Sequence, residues 1–333
     1  MSLSREILRD KFKGAVLGCF LGNAFGSGFE GMDPDRVRFH IGSLSKTFTR
    51  YYTDDTDMTL ALAESLIQCG RIDPEDVAKQ FSRCCDLTRG YAAGTINAVL
   101  ALRAGSKWDQ VARTVFENGS FGNGAAMRVS PVGLFYHHDL DALQEAAVKQ
   151  ARITHVHPLG LWGAVMQACS VGLAAFQSPK EPFKRDAVIV HLREVLWRGP
   201  VEYLKALNRI EEMLAQRKKL VAREVVRSLG NGVEAHSSVP SACYVALTYS
   251  PDFCEAVRAA VSLGGDTDTI AGMVGAIVGA HVGEKGLPAE WIEQLEEGPR
   301  GRSFAKGLAD RLFETWWKVH QTSSALSALP TPT

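Results

Sequence analysis

The 333-residue sequence has no surplus of either charge, because 37 Lys and Arg balance 37 Asp and Glu. It therefore lacks the basic excess with which a nucleic-acid binder neutralises phosphates. With 46% hydrophobic residues it is not short of core-forming side chains, as a disordered regulator would be. No Cys-x-x-Cys pair occurs, and an odd seven cysteines scattered through apolar stretches make no disulfide framework, so buried reduced thiols in a cytoplasmic protein are expected. Apolar runs of membrane-spanning length, about 20 residues, were not found either: residues 270–282 are too few. Residues 14–29 follow Lys11 and Lys13 as the core of an export signal would, but Glu6 and Asp10 precede them and no small-residue cleavage site follows. Neither a membrane nor a nucleic acid is an expected partner. Without a heptad pattern or an edge strand, a monomer is expected.

Strand-like alternation is almost absent, and helical spacing takes its place. In residues 54–68 (DDTDMTLALAESLIQ) the apolar Met58, Leu62 and Leu66 fall on one face, widened by Ala61 and Ser65. The same reasoning predicts helices at 73–87, 239–248, 269–282 and 304–320 and in most segments between them. Gly70, Gly105, Gly119, Gly199-Pro200 and Ser250-Pro251 punctuate them as helix stops and starts. No linker, repeat or low-complexity tract divides the chain, so one all-α domain over 1–321 is expected, with a flexible tail at 322–333. The charged, weakly patterned stretch 180–219 reads as an excursion from the main body.

Glycine is plentiful for such a chain, at 31 residues. Ala271, Gly275, Gly279 and Gly283 recur every four positions and give a helix one smooth face for close packing. Gly22-Asn23, Gly122-Asn123-Gly124 and Gly264-Gly265 instead stand beside polar residues at predicted helix starts, where backbone turns sharply or approaches a ligand.

The chemistry is concentrated in two segments, Thr53-Asp54-Asp55-Thr56-Asp57 and Asp266-Thr267-Asp268-Thr269, each opening an apolar helix. Helix capping explains one such residue per helix. It does not explain acids packed this densely, which repel one another unless a cation is present. Oxygen ligands without Cys or His suit Mg²⁺ or Mn²⁺, and two helix N-termini could hold two ions about 3.5–4 Å apart with Asp268 as bridge. Isoprenoid synthases also pair acidic helices, but their spaced D-D-x-x-D is missing. The Asp266-to-Thr269 segment also shares the D-x-D that opens the D-x-D-x-T motif of aspartyl-phosphate phosphatases, but that motif belongs at the end of a buried strand.

Five blocks in order resemble the ADP-ribosylglycohydrolase family: residues 14–30 (GAVLGCFLGNAFGSGFE), 52–66 (YTDDTDMTLALAESL), 121–132 (FGNGAAMRVSPV), 150–159 (QARITHVHPL) and 262–279 (SLGGDTDTIAGMVGAIVG). Residues 89–94 and 229–233 are most similar to the type 3 ADP-ribosylhydrolases. The block at 150–159 looks more like the arginine-directed, dinitrogenase-reductase-activating enzymes. The resemblance implies a single compact, orthogonal all-α domain with a central binuclear Mg²⁺ site, Mn²⁺ being the alternative. By motif position Thr53, Asp54, Asp55, Asp266, Asp268 and Thr269 would be the ligands.

The implied activity is hydrolysis of the C1″ bond of serine-linked ADP-ribose, poly(ADP-ribose) or O-acetyl-ADP-ribose. An arginine-directed enzyme and a non-catalytic, crystallin-like ADP-ribose binder are the alternatives. An oxocarbenium-like transition state needs a proton for the leaving group and a positioned nucleophile. Glu30 is the candidate acid/base and Asp55 the next choice. The segment from Gly90 through Tyr91 to Gly94 and the residues Gly119, Ser120, Gly122 and Gly124 are expected to receive the diphosphate, Phe116 and Phe121 the adenine, and the Asn23 and Asn123 turns to shape the substrate pocket. His155 and Val233 complete the expected substrate contacts. His157 carries a weaker expectation of the same kind, and Arg128 is expected to be the buried partner of a carboxylate.

Overall fold

The computed structural model describes residues 3–40, 48–115, 118–179, 181, 183–216 and 221–327, with 321–327 as backbone alone. The chain opens with α1 (Arg5–Gly26) and the short α2 (Pro34–His40), followed by α3 (Asp54–Cys69), α4 (Pro74–Cys84), α5 (Ala93–Arg103) and α6 (Trp108–Val115). Two short helices, α7 (Gly124–Met127) and α8 (Ser130–Phe135), lead into α9 (Leu140–Ala151) and α10 (Pro158–Phe176). Then come α11 (Arg185–Leu196), α12 (Val201–Ala215), α13 (Ala222–Leu229), α14 (Ala235–Tyr249), α15 (Phe253–Ser262) and α16 (Thr267–Val282). The last two are α17 (Ala289–Gln294) and α18 (Arg302–Ser327). The described residues contain no strand, only one antiparallel bridge between Gly122 and Glu234.

At the centre α1 and α16 run antiparallel, backbone against backbone. A Cβ added to Gly22 would overlap the carbonyl of Ala271, and one on Gly26 would lie 2.5 Å from the Asp268 Cα. Gly14 and Gly18 meet Gly279 and Gly275 in the same way. Only glycine permits such an approach. Periodicity did not predict α1 because the helix has no polar face: from Phe12 to Gly26 all but Lys13 are buried. Lys11 is buried at the far end of this seam, where its Nζ donates to the carbonyls of Ala280 (3.0 Å) and His281 (2.6 Å), the last turn of α16. Burial pushes its pKa down to about 7.

Helix α10 is apolar enough over its 19 residues to span a membrane by length and composition, with a mean hydropathy of 1.5, but 72% of that window is buried inside the protein as core. The stretch expected as an excursion is instead two helices of the same body. Val188, Ile189 and Leu192 of α11, with Tyr203, Leu207 and Ile210 of α12, join the one hydrophobic core. The polar residues that masked the pattern are their solvent faces. Helix α4 ends at Cys84, short of the expected Leu87, because the Asp86 amide leaves the helix to donate to Asp57 Oδ2 at 2.7 Å. Helix α14 starts at Ala235, ahead of the expected 239, because the bridge at Glu234 sets its entry and Pro240 is carried inside it. Helix α18 continues through residue 322 to Ser327, and 328–333 lie outside the described residues. All seven cysteines are free.

Candidate active site

The N-termini of α3 and α16 meet at the end of the glycine seam. Thr53 and Asp266 occupy the N-cap positions, yet neither makes a side-chain cap hydrogen bond. The Thr53 hydroxyl is turned toward α16 and the Asp266 carboxylate toward Asn123. Thr53 Oγ1 lies 2.9 Å from Asp55 Oδ2 and 3.0 Å from Asp268 Oδ2, although a hydroxyl has one proton for two carboxylates. Asp55 Oδ1 and Asp268 Oδ1 are buried with no hydrogen-bond partner. Burial first, then the charge of Asp268, drives the pKa of Asp54 and of Asp55 well above the usual carboxylate range, and burial raises Asp266 and Asp268 as well. Four crowded carboxyl groups, two of them with an orphaned oxygen, have no positive partner among the described residues. Capping thus fails to account for them, and an all-oxygen donor set of this kind fits a hard divalent cation. Among the described residues no three His, Cys, Asp or Glu side chains close around an ion by themselves.

Two asparagines brace this acidic pole. Asn23, in a helix rather than in the turn expected for it, accepts from the Thr53 amide (2.8 Å) and the Thr56 hydroxyl (3.0 Å). It donates to Thr53 Oγ1 (2.7 Å) and more distantly to Asp268 Oδ2 (3.5 Å). Asn123 donates to Asp266 Oδ2 at 2.5 Å and to Ser238 Oγ at 3.0 Å. The sequence pointed to Asn23 as a residue near a ligand but placed it in a turn, whereas it lies in the last helical turn of α1.

Glu30 follows a 3-10 turn (Ser27–Phe29) and is exposed at the cavity edge. The Gly31 amide donates to Gly265 O and the Gly265 amide to Met32 O, both at 2.8 Å, which fastens the glutamate loop to the residues preceding Asp266. The charge of Asp268, and then burial, raises the Glu30 pKa.

These groups share a cavity of about 450 Å³. Every residue expected as a metal ligand lines it, together with Glu30, Gly90, Gly94, Gly119, Ser120, Phe121, Gly122, Asn123, His155 and Val233. Gly124, also expected to offer its amide, lines it too, while Ala92, Thr95, Met127, Thr154 and Glu234 complete the wall and were not expected. Tyr91 is not part of it: its ring is buried and its hydroxyl donates to Asp57 Oδ2 at 2.8 Å, tying the Gly90 loop to α3. Phe116 lies outside the described residues.

Opposite the acids stands a wall of neutral donors. Gly119, at φ +76°, adopts a left-handed turn against His157. Ser120 Oγ accepts from the Gly122 amide at 3.2 Å. The bridge to Glu234, with Asn123 N donating to Val233 O at 2.9 Å and Ala235 N to Phe121 O at 2.9 Å, joins this turn to the start of α14. The helix after the turn, α7, is a single turn long, so the wall's polarity comes from individual amides and side chains more than from a helix dipole. Phe121 and Val233 are 47% and 63% exposed, which leaves an apolar ledge at the mouth.

His157 is the N-cap of α10, its Nδ1 accepting from the Leu159 amide at 3.2 Å, a structural position. Arg128 is buried as expected, but its partners are not carboxylates. It donates to Gln150 Oε1 (2.9 Å), Gln150 O (3.2 Å) and Thr154 Oγ1 (2.9 Å), and its guanidinium stacks on Phe81 at 4.6 Å.

A family model for ADP-ribosylglycohydrolase matches residues 4–321. The ADP-ribosylhydrolase ARH3 of Mus musculus is 35% identical over 335 residues, covering 89% of each chain. That of Homo sapiens is 35% identical over 326 residues, covering 86% of this chain and 89% of the relative. The ADP-ribosylarginine hydrolase Tri1 of Pseudomonas putida is 27% identical, covering 93% and 81%. Among solved structures, a chain of an ADP-ribosylglycohydrolase-related protein complex superposes with a TM-score of 0.65 at 26% identity, covering 93% of this chain and 99% of that one. The protein belongs to the ADP-ribosylglycohydrolase family of hydrolases.

Proposed function

We propose that the protein is a Mg²⁺-dependent ADP-ribosylhydrolase that cleaves the C1″ glycosidic bond of serine-linked ADP-ribose, poly(ADP-ribose) or O-acetyl-ADP-ribose and releases ADP-ribose. The observation that carries this reading is the make-up of the cavity wall, in which under-partnered buried carboxylates share one cavity with neutral donors and an exposed aromatic. Its volume of about 450 Å³ lies in the range of small-ligand sites, about 300–1,000 Å³.

Thr53, Asp54, Asp55, Asp266, Asp268 and Thr269 would hold two Mg²⁺ ions, or Mn²⁺ in their place. The ions would supply positive charge that orients the hydroxyls of the distal ribose. Asn23 and Asn123 keep the ligand oxygens aimed. Glu30, at the cavity edge beside the aspartates, gives the leaving group its proton and recovers one from the attacking water. Asp55 is the second candidate for that role. The amides of Gly119 to Gly124 and His155 accept the diphosphate, and Phe121 offers its face to adenine.

The arginine-directed reading draws support from the residues 150–159 block and the Pseudomonas relative, and that relative is the less identical of those compared. A non-catalytic role would leave the complete acid set without a purpose. The test is release of ADP-ribose from serine-, arginine-, polymer- and acetyl-linked substrates with Mg²⁺ and with chelator. Cleavage of the arginine linkage alone would move the protein to the alternative class. Binding of ADP-ribose with no cleavage of any substrate would reject the enzyme reading.

A further inference from the structure

One ring in the cavity wall has its protonation set by the residues behind it. His155 is 4% exposed, and its imidazole is wedged in place. A Cβ on Gly160 would lie 2.9 Å from its Cδ2, and one on Gly124 would lie 3.3 Å from its Cε1. Its Nδ1 is 2.8 Å from Thr154 Oγ1. The same oxygen receives a hydrogen bond from Arg128 Nη2 at 2.9 Å.

A guanidinium donates and never accepts, so Thr154 Oγ1 is the acceptor toward Arg128 and keeps its own proton for a second partner. Among the described residues, the acceptor within reach of that proton is His155 Nδ1. Were Nδ1 itself protonated, the hydroxyl would accept twice and its buried proton would have no partner, which costs more than a hydrogen bond contributes. Arg128 is held by Gln150, Thr154 and the face of Phe81, all neutral, so its charge stands uncompensated behind the ring and opposes an imidazolium. The Nε2 edge faces the glycine wall, where a Cβ on Gly122 would lie 3.9 Å away.

We propose that Arg128 and Thr154 are positioning residues that lock His155 as the neutral imidazole protonated at Nε2, giving the cavity one fixed hydrogen-bond donor for an oxygen of ADP-ribose and taking the ring out of proton transfer. The ligand half of this inference rests on the function proposed above. The tautomer half rests on geometry alone. Burial, and then the charge of Arg128, push the His155 pKa down to about 3 against a weaker opposing contact with the Gly122 backbone, which an oxygen of the ligand would share or displace, in keeping with a ring that stays neutral.

The test uses the full-length ¹⁵N-labelled protein. Long-range ¹H–¹⁵N spectra record the ring nitrogens of His155 between pH 5 and 8, with His155→Gln for assignment, and calorimetry follows ADP-ribose binding in Mg²⁺. The expected wild-type signature is protonation at Nε2 with no titration across that range. Thr154→Val should release the ring to the other tautomer or to titration and weaken ADP-ribose binding about three- to tenfold, while Thr154→Ser should restore both. A wild-type ring protonated at Nδ1, or charged at pH 7, overturns the lock, whether or not the variants fold. So does a folded Thr154→Val with unchanged spectrum and affinity. Wild-type protein that fails to bind ADP-ribose overturns the functional reading and the ligand half together, and the ring spectrum still decides the tautomer half.

Discussion

The two poles of the cavity are built on opposite electrostatic plans. At the acidic pole Asp54, Asp55, Asp266 and Asp268 crowd together with orphaned oxygens and raised pKa values. At the other pole Gly119 to Gly124 and His155 offer neutral donors, and the nearest guanidinium, Arg128, is kept behind the wall. The first is unfinished without a cation, whereas the second can meet an anion as it stands. The lesson is that a protein of zero net charge can attract a nucleotide sugar without a basic patch, if it recruits its positive charge only where the sugar reacts.

Variants at the two poles should therefore fail in different observables. The largest effect is expected for Asp268→Ala, which removes the carboxylate shared by Thr53 and Asn23. Activity should fall to background and bound Mg²⁺, measured by atomic emission after desalting, should fall with it. Retention of full metal content would break the comparison at once. Glu30→Gln should lower kcat by about 10²–10⁴ while leaving metal content unchanged. Equal metal loss in both variants would mean that Glu30 belongs to the ion site.

Metal-linked stability is the next effect in size. Burial and mutual repulsion raise the pKa values of the four aspartates in the fold, so in the metal-free protein their contribution to stability is fully present below their unfolded value near 3.9 and is lost as pH rises through the raised values. In the proposed site Mg²⁺ would replace the missing protons. Its stabilising effect should grow with pH, reaching about 2.7 kcal/mol at a hundredfold excess over Kd. Thermal unfolding with Mg²⁺ or chelator at pH 5.5, 7 and 8.5 reads this directly. A difference in Tm that does not widen with pH contradicts the reading.

The smallest effect is expected on the neutral side. Gly119→Ala would put a side chain at φ +76° with its Cβ 2.7 Å from the His157 amide nitrogen, shifting the donor wall. ADP-ribose binding should weaken on the order of tenfold with Mg²⁺ binding unchanged. Loss of metal in this variant would show that the poles are not separable.

The acidic pole was legible in the sequence because Asp and Thr repeat there more densely than capping requires. The glycine turns were legible because Gly122-Asn123-Gly124 and Gly264-Gly265 stand beside polar residues at helix starts. What escaped had its cause in three dimensions. Helix α1 is buried all round, so no amphipathic stripe announced it, and its four-residue glycine spacing had meaning only beside the matching spacing of α16. The polar faces of α11 and α12 hid apolar ones. Tyr91 shares a loop with Gly90, yet α3 captures its hydroxyl through Asp57, a contact between residues 34 positions apart. Arg128 suggested a carboxylate partner by charge alone, whereas an amide, a hydroxyl and a ring face supply the contacts.

The contact between Thr53 and Asp268 spans 215 positions of the chain. At about 5–20 residues per second, the second aspartate cluster leaves the ribosome roughly 10–40 s after the first. Throughout that interval α1 carries its glycine groove with no α16 to fill it, and Asp54 and Asp55 are free of their later neighbours. A growing chain can therefore neither gather the ions nor open a glycosidic bond. Catalytic competence arrives late in synthesis, when the far helix slides along the glycines into register.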